Sequence, residues 1–281
     1  MAERAGVINL GLEGMMLLGA VTGFLAQDAT GSAWPGVFAG IVAGAAAASV
    51  HAVFAVTLRA NQIISGLGLT IAGTGLAAII GSSLVGTPAK DTLTEIRIPL
   101  LADIPGLGEV LFEQHVLVYA SFVIAPIIWW ALRRTRVGLH LRAVGENPAA
   151  ADAMGVSVAA HRFGAVCFGG AMCGLAGATL SLAESPGWTE NMTAGRGWIA
   201  LALVIFATWD PLRALFGALL FGCLDVLAFR AQIIGVDVQP TILGMIPYVA
   251  TFAVLLAITA LGVRKRLGAP AALGEPYVRG G

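Results

Sequence analysis

Several polar side chains fall within otherwise apolar stretches of this 281-residue chain, where they are costly unless they face a cavity or a partner. The set comprises Asn9, Glu13, Asn61, Gln62, Ser65, Thr70 and Asp225. Asn9 and Glu13 are four residues apart, which predicts that both lie on one face of a helix. There they could exchange hydrogen bonds with a polar small molecule. The alternatives are that they stabilise a broken helix or bond neighbouring helices together, and that Asn61 caps a helix.

The residues needed for other kinds of chemistry are missing or badly spaced. The three cysteines lie in apolar, glycine-rich stretches without metal-ligand spacing, and the four histidines are scattered. The chain has no phosphate-binding GxxxxGK[ST] loop and no acid, base and nucleophile constellation. We therefore expect no catalytic residue, no metal and no cofactor bound by this chain. A carrier driven by an ion gradient, with Glu13 or Asp225 as the ion site, is an alternative.

The composition indicates an integral membrane protein. Hydrophobic residues make up 58% of the chain, charged residues only 11%, and the mean hydropathy is +0.87. The net charge of zero gives no sign of a nucleic-acid partner. Because a spanning helix needs about 20 apolar residues, the sequence predicts an all-α polytopic bundle of about eight spans, some short or broken. The predicted spans are 7–27, 35–58, 62–84, 115–132, 162–184, 198–209, 212–229 and 240–262.

The distribution of lysine and arginine predicts the orientation in the membrane, because these residues stay on the cytoplasmic side in short loops. With both termini in the cytoplasm, twelve of the 16 basic residues fall inside and four outside. We therefore expect both termini of this multi-pass protein to be cytoplasmic. The chain is predicted to be a single transmembrane domain, 1–281, with two long loops. Loop 85–114 is predicted outside, folded over the extracytoplasmic mouth or acting as a tether, and loop 133–161 inside.

The inner loop carries the signals of one short helix beneath the membrane. Asn147 can cap a helix and Pro148 suits its first turn. Residues 149–154 favour helix, and Gly155 is a natural stop. Such a helix could be a rigid knob that fits a groove on another protein, or it could be an ordinary loop helix.

Two motifs resemble those of a known family. The segment AAADAMG is similar to the EAAxxxG signature of ABC importer permeases, although Ala149 stands where that signature has glutamate. The wider stretch GLHLRAVGENPAAADAMGVSV resembles the coupling region of permeases that import ribose, branched-chain amino acids and nucleosides. GVINLGLEGMMLLGA, at 6–20, resembles the N-terminal signature of permeases paired with basic-membrane-protein lipoproteins. Further segments follow in the expected order, so the resemblance covers nearly the whole chain.

The resemblance implies the permease subunit of an ATP-driven importer in the plasma (inner) membrane, with nucleosides as substrate and ribose-type sugars as the alternative. It implies three partners: an ABC ATPase subunit that uses the ATP, a second permease subunit, identical or homologous, and an extracytoplasmic substrate-binding lipoprotein. Such permeases usually have another apolar helix before the N-terminal signature, so we expect either a lost span or an upstream start. The expected ATPase-coupling residues are Glu146, Asn147, Pro148, Ala150, Ala151, Asp152 and Gly155. The expected substrate-pathway residues are Asn9, Glu13, Asn61, Gln62 and Ser65.

Overall fold

The computed structural model describes residues 1–97, 113–233 and 268–279, with a few isolated positions between these ranges. The helices are α1 (Leu12–Thr30), α2 (Ala33–Ala52), α3 (Gln62–Gly81), α4 (Val116–Arg134), α5 (Arg136–Glu146), α6 (Pro148–Ala153), α7 (Val158–Thr179), α8 (Arg196–Phe206) and α9 (Pro211–Ile233). A short 3₁₀ turn, Glu3–Ala5, precedes α1, and π-helical turns at Val53–Thr57 and Leu180–Glu184 extend α2 and α7. The strands β1 (Glu95–Arg97) and β2 (Glu113–His115) form an antiparallel pair.

The predicted all-α membrane architecture is confirmed. Within the described ranges, four helices are long and apolar enough to cross a membrane: α2 and α7 with their π-helical extensions, α3 and α4. The predicted spans 198–209 and 212–229 correspond to α8 and α9, two separate helices. The predicted span 240–262 lies almost entirely outside the described residues. The first predicted span is wrong at its start, because the helix begins at Leu12 rather than at residue 7.

The inner loop also differs from its prediction, because it contains two helices rather than one. Its basic first part forms α5, which the Thr135 side chain caps by accepting a hydrogen bond from the Gly138 amide at 3.2 Å. Leu141 and Val144, three residues apart, are buried on one face of α5. Tertiary burial of this apolar face explains why a basic segment is helical here.

The centre of the bundle is formed by α1, α2 and α7, which approach each other through glycines. A Cβ atom on Gly44 of α2 would overlap the carbonyl oxygen of Gly170 on α7, and one on Gly19 of α1 would lie 2.5 Å from the carbonyl oxygen of Gly174. Helices in lipid associate by close packing, which small residues permit. The glycines therefore set the spacing of these three helices.

The two ends of the bundle carry different structures. At one end, which we call the α6 end, Ala272 of the C-terminal segment donates its amide to the carbonyl of Gly145 at 2.9 Å. At the other, the hairpin end, the segment before β1 is fixed to the helices: Lys90 pairs with Asp28 at 2.9 Å, and the Leu93 amide bonds the carbonyl of Leu182. Part of the predicted outer loop is therefore folded onto the ends of α1 and α7.

Candidate functional site

The segment before α1 is unwound. Residues 7–11 have no helical structure, and the side-chain oxygen of Asn9 accepts a hydrogen bond from the Gly11 amide at 2.9 Å, which forms a local turn before α1. Asn9 therefore lies outside the helix that contains Glu13, and the predicted shared helical face is wrong. The unwound stretch instead matches the broken-helix alternative. Its backbone groups need partners, because little water is available to them inside a membrane.

Polar side chains of α3 supply these partners. The Gln62 Oε1 atom accepts a hydrogen bond from the Ile8 amide at 2.7 Å, and the Thr70 hydroxyl donates to the Leu10 carbonyl at 2.8 Å. Gln62 is only 4% exposed. These contacts place α3 alongside the unwound segment and explain two of the polar residues that stand out in the third span.

Ser65 and His51 form a second bridge to the same segment. The Ser65 hydroxyl lies 2.7 Å from Nδ1 of His51, and Nε2 of that ring lies 3.0 Å from the Ile8 carbonyl oxygen. His51 is buried at the end of α2. Asn61 caps α3 by accepting from the amides of Ile63 and Ile64, so the capping alternative for Asn61 is confirmed. Together with Gln62 and Thr70, His51 and Ser65 hold residues 8–10 between α2 and α3.

Glu13 joins α1 to the beginning of α8. One carboxylate oxygen accepts from the Thr193 hydroxyl and from the Gly195 amide at 2.9 Å. The other accepts from the Gly197 amide at 2.7 Å. Glu13 is 5% exposed, and it lies in the first turn of α1 while it binds the first turn of α8. Because helix N-termini carry partial positive charge, this carboxylate is stabilised by two helices at once.

The helix that Glu13 caps is about half as long as a span. Its 11 residues extend for about 16 Å, against a hydrocarbon core of about 30 Å. It begins beside the start of α1 and ends near the α6 end. A broken first span and a half-length helix therefore meet at Glu13. Such discontinuous helices are typical of binding sites in transporters, because their free ends present polar backbone groups inside the membrane.

The connection between α8 and α9 is strained. Thr208 and Trp209 both have positive φ angles, 51° and 57°, which non-glycine residues rarely adopt. The surrounding contacts hold this conformation: Trp209 donates its indole N–H to Glu3, and its carbonyl accepts from Arg4 at 3.2 Å. Burial raises the pKa of Glu3 and lowers that of Arg4. The N-terminal turn is thus fixed to this corner, which we call the α8–α9 corner.

A pocket of about 570 Å³ lies beside the α8–α9 corner at the α6 end. Arg133 at the end of α4 pairs with Asp210 at 2.7 Å and lies 5.1 Å from the centre of the Trp129 ring. The Asp210 side chain also accepts from the Leu212 amide at 3.1 Å, so it caps α9 while it binds α4. This pocket has a basic lining, to which Arg4, Arg134 and Arg142 also contribute.

A second cavity of about 780 Å³ lies between α4, α7, α8 and α9. Its lining is mainly apolar, for example Met16, Ile124 and Phe168, with the hydroxyls of Ser121 and Thr179 among them. It shares residues of the α8–α9 corner with the basic pocket, including Arg4, Trp209 and Asp210, and it extends to Glu184 at the hairpin end. The two cavities thus adjoin at the corner and together follow the length of the bundle.

The short helix α6 has the predicted local structure. The Asn147 side chain accepts from the Ala150 amide at 2.9 Å, Pro148 occupies the first helical position, and Gly155 has a φ of 79°. The cap, the helix and the stop are therefore confirmed. Glu146 is the last residue of α5 rather than part of α6, and its carboxylate accepts from the Ala271 amide at 3.3 Å.

The two faces of α6 differ. Ala151 is 5% exposed and packs with Val144 and Val158, whereas Met154 directly after the helix is 83% exposed. Of the large apolar side chains in the described residues, Met154 is the most exposed. Ala149, Ala150 and Ala153 are exposed as well. The outer face of this segment is a small apolar surface, the α6 knob, formed by Ala149, Ala150, Ala153 and Met154.

Residues 1–255 match a protein family described as the permease component of the branched-chain amino acid transport system. The chain belongs to this permease family. No solved structure matches it.

Individual relatives cover almost the whole permease. A putative glucose ABC transporter permease of Haloferax volcanii is 42% identical over 99% of this chain and 91% of its own length. A nucleoside ABC transporter permease of Lactococcus lactis is 36% identical, and a guanosine ABC transporter permease of Bacillus subtilis is 35% identical; each match covers 99% of this chain and 90% of the relative. The permease component of an ABC transporter is thus shown, and the ion-coupled carrier is set aside.

The predicted pathway residues of the permease lie together, but not on the larger cavity. Asn9, Glu13, Gln62 and Ser65 all bond near the start of α1, and Asn61 caps the neighbouring helix. Among the described residues that line the larger cavity, none belongs to this set. Their contact with substrate stays a prediction. Asp225 lies in α9, and its side chain is outside the described part of the permease.

Sequence reasoning missed three features of the permease. The partners of Glu13 lie in TAGRGW, where two glycines before an apolar run were a usable signal of a close backbone approach. The α8–α9 corner was visible only as the break at Asp210 and Pro211. Met154 reads as an ordinary apolar residue, and only its exposure distinguishes it.

Proposed function

We propose that this permease is the membrane subunit of an ATP-driven nucleoside importer, in which a separate ATPase, a second permease chain and an extracytoplasmic binding lipoprotein complete the transporter. In this proposal the α6 end faces the cytoplasm, with both termini, and the hairpin end faces the binding protein. ATP is bound and hydrolysed by the ATPase, not by this chain.

The observation that carries the choice of substrate is the lining of the larger cavity. Its surface is mainly apolar, with the hydroxyls of Ser121 and Thr179 along it and the charged side chains of Arg4, Asp210 and Glu184 near its two ends. A nucleoside has a flat base that can contact apolar side chains and a ribose that needs a few hydrogen bonds. A hexose carries hydroxyls around its whole ring, and each one that loses water without a new partner is costly. The cavity therefore favours the nucleoside.

Two relatives, named as nucleoside and guanosine permeases, support the same substrate class. A sugar is the second candidate, because the relative from Haloferax volcanii at 42% identity is named as a putative glucose permease. The two candidates differ in the number of hydroxyl groups that lose water in the pathway. Direct transport measurements separate them.

The test is uptake of radiolabelled guanosine and glucose by cells of the source organism with and without the gene for this chain. We expect guanosine uptake to be lost on deletion, to return with the plasmid-borne gene, and to remain lost when the partner ATPase is inactivated. Unchanged guanosine uptake together with lost glucose uptake would instead establish the sugar. Calorimetry of guanosine and glucose with the purified binding lipoprotein gives an independent answer.

The α6 knob is the proposed contact with the ATPase. Its exposed face is apolar, which suits an apolar groove on a partner better than contact with water. Met154→Asp places a charge in this contact, and we expect nucleoside uptake to fall at least about tenfold, while the stability of the isolated permease changes by less than about 0.5 kcal/mol. The control is Met154→Leu, which retains the apolar contact. Normal uptake by the Asp variant would show that the knob does not dock.

A further inference from the structure

The C-terminal segment 270–279 lies across the α6 end, where it bonds four parts of the chain: the N-terminal turn, α5, α6 and α7. The Gly274 amide donates to the carbonyl of Gly6 at 3.0 Å, and the Glu275 carbonyl accepts from Arg162 of α7 at 2.7 Å. Arg162 is 2% exposed, and its Nε also donates to the carbonyl of Ala5 at 3.1 Å. A buried arginine thus joins the C-terminal segment to the N-terminal turn.

The same segment holds α6 through Asp152. The Tyr277 hydroxyl donates to Oδ2 of Asp152 at 3.1 Å, and the Arg279 guanidinium lies 3.0 Å from the same oxygen. The Tyr277 ring packs against the cluster of Val144, Ala151 and Val158, through which α6 contacts α5 and α7. The phenol of Tyr277 is protonated at neutral pH and can therefore donate, and desolvation, followed by the hydrogen bond and charge of Asp152, raises its pKa further.

These contacts matter because α6 has little else to hold it. It is six residues long, and an isolated helix of that length is not stable in water. Apart from its Asn147 cap it buries only Ala151. A helix that is pushed by a partner can move its neighbours only if it is firmly attached to them. Segment 270–279 supplies such attachments, because it bonds the N-terminal turn, α5, α6 and α7.

We propose that residues 270–279 form a strap that fixes α6 to the N-terminal turn and to α7, so that movement of α6 is passed to the membrane helices. Asp152, Tyr277 and Arg279 act as positioning residues for the coupling helix. The proposal rests on the proposed function, since it assumes that an ATPase displaces α6. It adds that coupling depends on a segment far from α6 in sequence.

The test compares the complete transporter in proteoliposomes with wild-type permease and with the double variant Tyr277→Phe/Arg279→Gln. ATP hydrolysis and nucleoside uptake are measured on the same vesicles. We expect hydrolysis to stay within about twofold of wild type, while uptake per ATP falls about fivefold or more. Arg279→Lys keeps the charge and should keep most of the coupling. The control is Val278→Ser, an exposed position in the same segment.

Several outcomes overturn the strap. An unchanged ratio of uptake to hydrolysis in the double variant contradicts it, and so does an equal loss of both activities, which would mean that the segment serves assembly instead. The single variant Arg279→Gln changes a side chain that is 82% exposed, so it should leave folding intact. It should lower the ratio of uptake to hydrolysis, as the double variant does. If wild-type vesicles hydrolyse ATP without any uptake, the proposed function is wrong, and a defect of the strap is not the cause of the missing uptake.

Discussion

The two sides of the bundle are built on different principles. On one side α1, α2 and α7 touch through glycine backbones, and α3 holds the unwound start of α1 with Gln62 and Thr70. On the other side α4, α8 and α9 border a cavity of about 780 Å³. We call these the packed side and the open side. Glu13, in α1 and bonded to α8, connects them.

The difference between the two sides indicates how such a bundle can change conformation without unfolding. A close-packed interface does not deform gradually, because small shifts create overlaps or voids. The packed side is therefore suited to act as a fixed frame, and the open side can change its spacing with smaller losses of contact. Substitutions on the packed side should then act mainly on stability, and those on the open side mainly on transport.

Gly44→Leu should have the largest effect. A side chain at this position would overlap the carbonyl oxygen of Gly170 and lie 2.7 Å from the Cα atom of Gly174, and backbone atoms cannot move aside as side chains do. We expect a loss of more than about 5 kcal/mol, enough to remove folded protein from the membrane. The measurement is the yield of monodisperse permease after detergent extraction. Gly68→Leu on α3, where a Cβ meets nothing within 4 Å, is the control, and equal yields would refute the packed-side description.

Glu13→Ala should cost about 3 kcal/mol, because the Thr193 hydroxyl and the amides of Gly195 and Gly197 would each lose a buried acceptor. The measurement is unfolding by titration with SDS in mixed micelles. Glu13→Gln keeps one acceptor oxygen and should cost about half as much. Glu190→Ala, an exposed acid in the same loop, should change stability by less than about 0.5 kcal/mol. If Glu13→Ala is as stable as the wild type, this carboxylate does not join the two sides.

The parts of the fold that sequence could predict are those whose signals are local. Asn147, Pro148 and Gly155 determine α6 by neighbouring contacts alone, and Asn61 caps α3 in the same way. The helix α5 had local signals as well, Thr135 and the spaced Leu141 and Val144, which its basic composition concealed.

The parts that escaped prediction depend on residues distant in sequence. Residues 7–11 continue the apolar pattern of α1, so hydropathy alone extends the helix through them. The bonds that hold them unwound come from Gln62 and Thr70, which are distant in sequence. Glu13 meets its partners about 180 residues further along the chain. The bond between Asp152 and Tyr277 spans 125 residues. No window along the sequence contains both members of these pairs, so composition and spacing could not reveal them.

Thr70→Val tests the weaker bonds of the packed side. The substitution keeps the shape of the side chain and removes the hydroxyl that binds the Leu10 carbonyl at 2.8 Å. We expect a loss of about 1 kcal/mol in SDS titration, because a single partly buried carbonyl loses its partner. Thr70→Ser retains the hydroxyl and should recover most of that loss. A variant as stable as wild type would mean that the unwound segment is held by the other bonds of α2 and α3 alone.

Ala125→Phe should change stability least and is the sharpest test of the open side. Ala125 of α4 lines the larger cavity, which has room for the added ring, so the free energy of unfolding should shift by less than about 1 kcal/mol. The ring would occupy space that a nucleoside needs, and we expect guanosine uptake to fall about tenfold while the binding protein retains its affinity. Val123→Phe is the matched control, because Val123 is 59% exposed on the same helix and does not line the cavity. If both variants transport equally well, the cavity is not the pathway, and the route must lie nearer to the polar residues around Glu13.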